Sequence, residues 1–324
     1  LLASSLSMTA TPSPNGGESK FDYARRLTRR DAQTGALVQM GFHPKTGSGS
    51  VWGYGFWMGG QLLANDGVDL VCIASPDHQH GYHAIAALQA GKHVYCEKPM
   101  TRYLGEAFEV HDTVKKTGKI LQIGSQGTSD LKWHKAAEWI KAGKLGPLVW
   151  GQGSYCRNNK NNSEWTFPVD SALTEQTIDW VQWQGKTQKI PFNPERFFCW
   201  HKYYAYNAGI IGNLLPHRFQ PLMLATGKPE FPRRVVCTGT RKISTDRDIT
   251  DTTHLLAELP SGLTFCVAGS TVNEIGLPDV LRGRKGTIYF SSSQNHVEFK
   301  PERPFVEELE AEAFSDPSPV ASVP

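Results

Sequence analysis

The chain contains no apolar run approaching the roughly 20 residues that a membrane-spanning helix requires, which argues against an integral membrane protein and against a membrane partner. No charge of one sign dominates: 34 Lys and Arg stand against 31 Asp and Glu, and the basic residues are dispersed. Nucleic-acid binding needs them clustered on one face, so that class is set aside. Cysteine is sparse. Cys72, Cys96, Cys156, Cys199, Cys237 and Cys266 are widely spread with no Cys-x-x-Cys pair, so the spacing supports neither a zinc site nor a redox dithiol, and no metal is expected. Cys72 and Cys266 sit within apolar, strand-like runs and read as small buried hydrophobes.

What is present fits an ordinary globular protein. At 324 residues the chain is too long for one small core, and a prior of one domain per roughly 150 residues gives two. Tryptophan is abundant, with nine residues, several of them between Trp133 and Trp200. Flat aromatic faces suit the apolar face of a sugar ring, although core packing uses tryptophan equally well.

Residues 1–60 read as a leader or irregular segment. The first 20 are rich in Ser, Thr, Pro and Gly, a composition that does not repay the entropy of ordering. Thr28-Arg29-Arg30-Asp31, followed by a short apolar stretch over 36–42 that Gln39 interrupts, resembles in part the twin-arginine export signal of bacteria. The compartment is therefore the bacterial cytoplasm or, with a working signal, the periplasm.

From residue 61 the pattern becomes regular. Residues 68–75 form a continuous apolar run, as expected of a parallel strand buried on both faces. A helix is predicted over 79–90, a strand over 93–96, a helix over 103–117 with Gly118 as its C-cap, a strand over 119–124 and a helix over 131–142. This alternation implies βαβ units and a parallel sheet. After Gly146-Pro147 the pattern changes. A strand over 148–156, a long loop and a helix over 208–226 precede closely spaced strands at 234–240, 252–259, 263–270, 286–290 and 296–299. The acidic tail after Glu307 reads as lying outside the core. The expected fold is α/β: a Rossmann-like parallel sheet domain over 61–147, incomplete at its N-terminal end, and an α+β domain over 148–324 with a large, mainly antiparallel sheet.

In an open parallel sheet, ligands bind beyond the carboxyl ends of the strands. Two strand ends here carry polar clusters, Ser75-Pro76-Asp77-His78-Gln79-His80 and Glu97-Lys98-Pro99. Together with Ala90-Gly91-Lys92-His93-Val94-Tyr95-Cys96 and Gln122-Ile123-Gly124-Ser125-Gln126, they make the stretch over 68–146 resemble the glucose–fructose oxidoreductase, inositol dehydrogenase and rhizopine-catabolism family of NAD(P)-dependent enzymes. The likeness continues more loosely through Asp179-Trp180, residues 193–197 and residues 209–217.

The resemblance implies hydride transfer between NAD or NADP and a small carbohydrate, polyol or glycoside, in a homo-oligomer. It places Ser75, Pro76, His80, Glu97, Lys98 and Gln126 on the cofactor. It also places Lys98, Trp165, Arg196 and His217 on the substrate. Lys98 would stabilise developing alkoxide charge. His217 would act as the base, a task suited to a group that titrates near neutrality. Asn213 stands where the family usually has an aspartate, and a neutral amide does not stabilise an imidazolium as a carboxylate does.

A dinucleotide domain also needs a glycine-rich turn after its first strand, where backbone and helix N-terminus meet the pyrophosphate. None can be placed upstream of Gln61, and the closing helix such enzymes carry is not recognised either. These departures suggest a truncated or rearranged reading frame. Two alternatives follow. One is a NAD-dependent glycoside hydrolase working by transient oxidation, against which Lys98 argues. The other is an inactive or sugar-binding family member.

Overall fold

In the computed structural model, residues 63–315 are described, apart from 65, 162 and 292–295. The leader, its export-signal likeness and any phosphate-binding turn within it lie outside the described residues. In chain order the elements are β1 (Leu70–Ile73), α1 (Asp77–Gln89), β2 (His93–Glu97), α2 (Leu104–Thr117), β3 (Leu121–Gly124), α3 (Leu131–Lys141) and β4 (Leu148–Cys156). Then come the short helices α4 (Trp180–Gln184), α5 (Pro194–Phe198) and α6 (Gly209–Asn213), followed by α7 (Pro216–Ala225). The chain continues through β5 (Arg234–Thr240), β6 (Thr252–Glu258), β7 (Thr264–Ser270), β8 (Asp279–Gly283), β9 (Gly286–Phe290), β10 (Val297–Pro301) and α8 (Val306–Ser315).

Two compact units result, and they do not divide at residue 147. The first holds the described chain up to Ile123 together with Trp165–His201 and Ala205–Asn207; the second holds Gly124–Glu164, Lys202–Tyr204 and the chain from Ala208 onward.

In the first unit, β1, β2 and β3 lie in that order, with β1 and β2 parallel. Ile73, Ala84, Leu88, Val94, Cys96 and Val110 form the core between strands and helices. Each large aliphatic buried this way contributes about 1.5–3 kcal/mol. Helix α1 begins two residues earlier than the sequence pattern implied. Pro76 at the N-cap, with φ −58°, aims the chain into the helix, and Asp77 brings an anion to its first turn. Gly118 at φ 65° is the expected left-handed C-cap of α2. The expectation that β1 is buried on both faces fails: Leu70 is 51% exposed and Cys72 is exposed. Among the described residues β1 has a neighbour on one edge only.

The Trp-rich segment belongs to this unit's interior. The Trp180 and Trp183 rings stack at 4.8 Å, and Trp183, His78 and Tyr206 form an aromatic cluster. Trp165, Trp180 and Trp183 are all buried. The backbone N–H of His78 donates to the Tyr206 carbonyl (3.2 Å), while His78 Nε2 (2.8 Å) and Gln79 Nε2 (2.9 Å) both donate to the Trp183 carbonyl. Burial and ring contacts give these tryptophans the packing use, one of the two that the composition left open.

In the second unit, seven strands run in the order β10-β9-β8-β4-β7-β6-β5. Only the central β4–β7 pair is parallel, so the sheet is mainly antiparallel as expected. Strand β8 was not expected; its five residues are too short for a clear alternation, yet it lies between β4 and β9 with Val280 and Leu281 fully buried. The single helix expected over 208–226 is two. Pro216 has no N–H for the Gly212 carbonyl and opens α7 instead. The acidic tail begins as α8, with Glu307 and Glu308 in its first turn.

Glycine sets the helix-to-sheet distance. A Cβ on Gly269 would lie 2.4 Å from Ile210 Cγ2 and 2.9 Å from Leu215 Cδ2. Gly269→Ala is accordingly expected to lower stability by about 1–3 kcal/mol, seen as a reduced thermal midpoint of the full chain. A second expectation concerns acid. Burial, the largest cause, pulls both His78 and His83 down to about 4. Well above pH 6.5 both rings are neutral in either state, and the native state carries no penalty. As pH falls from 6.5 towards 4, the unfolded chain takes up protons that the folded chain refuses, so stability is lost, on the order of 3 kcal/mol per ring. Denaturation midpoints should fall across this window, and His78→Gln should make the fall shallower.

Candidate active site

In the first unit, two turns leave the carboxyl ends of adjacent parallel strands, Ser75-Pro76 after β1 and Glu97-Lys98-Pro99 after β2. His80, only 1% exposed, stands between them, with Nε2 2.6 Å from the Ser75 carbonyl oxygen and Nδ1 2.6 Å from that of Pro99. The side chain of Ser75 is held separately, its hydroxyl 3.1 Å from His83 Nδ1. The Lys98–Pro99 peptide is cis. Glu97 is half-buried; burial pushes its carboxyl above the usual range, and Lys98 draws it back. Ser75, Pro76, His80, Glu97 and Lys98 are therefore brought together, as their spacing along two βα units implied.

Trp165 and Arg196 belong to the same unit but to other surroundings. Trp165 is 4% exposed at φ 58°, in the left-handed region, and stacks on His201 at 5.7 Å. Arg196 lies in α5, where its backbone N–H is capped by Asn193 Oδ1 (3.0 Å).

Asn213, His217 and Gln126 fall in the second unit. Asn213 is buried at the end of α6, and His217 occupies the first turn of α7. The imidazole of His217 lies against the Tyr155 ring at 5.2 Å. Pro221, inside α7, cannot donate to the His217 carbonyl; Arg218 Nη1 does so instead (3.2 Å). Arg218 is held by Asp279 Oδ2 (3.1 Å) and by the Ser154 carbonyl (3.1 Å). Gln126 opens a 3₁₀ turn that runs close to α7, where a Cβ on Gly127 would meet Pro221 at 3.4 Å.

Tyr155 escaped the reading of the sequence. Its hydroxyl accepts from Arg157 Nη2 (3.0 Å), and the Arg157 and Arg218 guanidiniums lie over its ring at 5.0 and 5.1 Å. Arg157 is itself paired with the buried Glu164 at 2.9 Å. The only hint in the sequence was the alternation of polar residues in Ser154-Tyr155-Cys156-Arg157. Among the described residues no group of His, Cys, Asp or Glu is arranged to hold a metal, and none of the six cysteines is in a disulfide. No described helix is long and apolar enough to cross a membrane.

Comparison with known proteins bears on both units. Residues 58–125 match the model of the Gfo/Idh/MocA oxidoreductase family, described by its NAD-binding Rossmann fold. The scyllo-inositol 2-dehydrogenase (NAD(+)) of Bacillus subtilis is 34% identical over 93 residues, covering 29% of this chain and 27% of that protein. Inositol 2-dehydrogenase 3 of Saccharopolyspora erythraea is 28% identical over 172 residues, covering 50% of this chain and 49% of that protein. The chain thus spans between about a quarter and a half of the length of these two relatives. An inositol dehydrogenase homologue of Azotobacter vinelandii, solved with NADH and myo-inositol, has the same fold, with a TM-score of 0.57 at 16% identity over 76% of this chain and 57% of that one. Residues 58–125, with their paired strand-end turns, are thus similar to the NAD-binding Rossmann fold of the Gfo/Idh/MocA oxidoreductase family.

Proposed function

We propose that this protein is an oxidoreductase that moves hydride between NAD or NADP and a hydroxyl-bearing carbon of a sugar, polyol or glycoside. The observation that carries the reading is the pair of clipped turns at the ends of β1 and β2, which presents a hydroxyl, a carboxylate and an ammonium at the place where open parallel sheets bind ligands. That donor set fits the nicotinamide–ribose end of a dinucleotide: Glu97 suits ribose hydroxyls as acceptor, and Ser75 adds a small polar side chain. The names of the relatives, among them inositol dehydrogenases and a levoglucosan dehydrogenase, support a polyhydroxylated substrate.

The bound nicotinamide supplies the acceptor for the hydride. The ammonium of Lys98 donates a hydrogen bond to the substrate hydroxyl and offsets negative charge on that oxygen as its proton leaves. To His217 we assign acceptance of the proton, with its main chain fixed by Arg218 and its ring by Tyr155. Asn213, in place of a carboxylate, leaves the resulting imidazolium less stabilised. A homo-oligomer forms part of the same proposal.

Titration with NAD and with NADP, followed by tryptophan fluorescence, should show saturable quenching by at least one of them. Absence of binding at millimolar concentration of both would overturn the proposal. Given binding, reduced cofactor should accumulate with a sugar or polyol from a panel, whereas aglycone release from nitrophenyl glycosides without net reduction would mark redox-assisted hydrolysis instead. Lys98→Ala should slow hydride transfer by about 10²–10³-fold, the scale of losing one preorganised donor, with cofactor affinity changed far less.

A further inference from the structure

The environment of His80 fixes more than the shape of two turns. Both of its ring nitrogens face oxygen atoms that only accept hydrogen bonds, Ser75 O and Pro99 O, each at 2.6 Å. A neutral imidazole carries one N–H. In either tautomer it would satisfy one carbonyl and press a nitrogen lone pair against the other, inside a site from which water is excluded. Only the imidazolium donates at both nitrogens, and charge-assisted bonds of this kind are short.

We infer that His80 is a permanently protonated, buried clip that joins the Ser75–Pro76 turn to the Lys98–Pro99 turn and places a fixed positive charge beside the Lys98 ammonium. This makes it a positioning residue for the proposed site rather than a group that touches the cofactor. The basic groups around it are His78 and His83 on its own helix and Lys98 from the turn after β2, with Arg102 beyond, facing His78; the acidic groups nearby are Asp77 on the same helix, Glu97 beside Lys98, and Glu106 of α2, which packs against Gly81. One proton at His80 therefore discourages protonation of the others. His78 and His83 do sit low, at about 4, with His80 among the causes. Burial, the largest influence, and Lys98 draw the proton affinity of His80 below that of an ordinary imidazole, against the pull of the two carbonyls; it is the geometry, two acceptors at 2.6 Å, that assigns the charge. The same charge eases loss of a proton from Lys98, which would tune that side chain towards donating strongly to a substrate oxygen.

The role of Lys98 rests on the function proposed above; the protonation state of His80 does not. The test is a long-range ¹H–¹⁵N correlation spectrum of the full chain labelled with ¹⁵N-histidine, recorded near pH 7.5. One histidine should show two protonated ring nitrogens, keep them as pH is raised by about one unit, and vanish from the spectrum of His80→Gln. Should that variant fail to fold, persistence of the signal in single His→Gln variants of each of the ten other histidines assigns it by elimination. If no doubly protonated histidine exists at pH 7.5, or if the signal survives in folded His80→Gln, the inference is overturned. A second readout needs no turnover. After reductive ¹³C-methylation, the Lys98 resonance should titrate at higher pH in His80→Gln than in the wild type, and an unchanged titration would sever the link to Lys98. Loss of NAD(P) binding with the His80 signature intact would overturn the function alone.

Discussion

One main-chain oxygen governs how the first unit is put together. The Trp183 carbonyl accepts from both His78 and Gln79, at the start of the helix that follows β1. A helix N-terminus leaves its first N–H groups without partners within the helix, and here that of His78 is taken by Tyr206. More than a hundred residues separate these partners along the chain. Their meeting carries the stacked tryptophans onto the strand-end turns and removes water from around His78, His80 and His83. With water gone, burial, Lys98 and the carbonyls that face His80 set the balance of its charge, and burial holds the His78 and His83 rings neutral. The electrostatics of the proposed site thus begin as a packing event.

The second unit solves a different problem, namely bringing helices close to a broad sheet. Glycines at 151, 153 and 269 remove the side chains that would keep Phe265, Asp279 and Ile210 at a distance. Asp279 uses the space beside Gly153 to reach Ser154 and Arg218. Burial raises the Asp279 carboxyl and the guanidinium draws it down, so the pair holds only as a pair.

Much of this was legible in the sequence, for reasons visible in particular residues. The helices ended by Gly118 and Gly143, and the strand over 148–156, stand where their punctuation put them, because glycine and periodicity act locally. The Ser75–His80 and Glu97–Pro99 clusters meet because successive parallel strands align their ends. The burial of β1 was misjudged, since an apolar run does not record how many neighbours a strand has. The use of the Trp-rich segment was left open for a related reason: whether a tryptophan faces a sugar or a core depends on what the distant chain brings to it. Tyr155 was invisible because its significance lies wholly in a ring stacked on His217 and in two guanidiniums drawn from separate elements.

The proline inside α7 has a wider effect than one missing hydrogen bond. By leaving the His217 carbonyl to the side chain of Arg218, it ties this turn of helix to a carboxylate on β8 and to the main chain of β4. A uniform helix carries its own geometry and can slide or fray without informing its neighbours. This one has exchanged part of that independence for an anchor in the sheet, so the orientation of His217 is inherited from strands β4 and β8 as much as from its own helix.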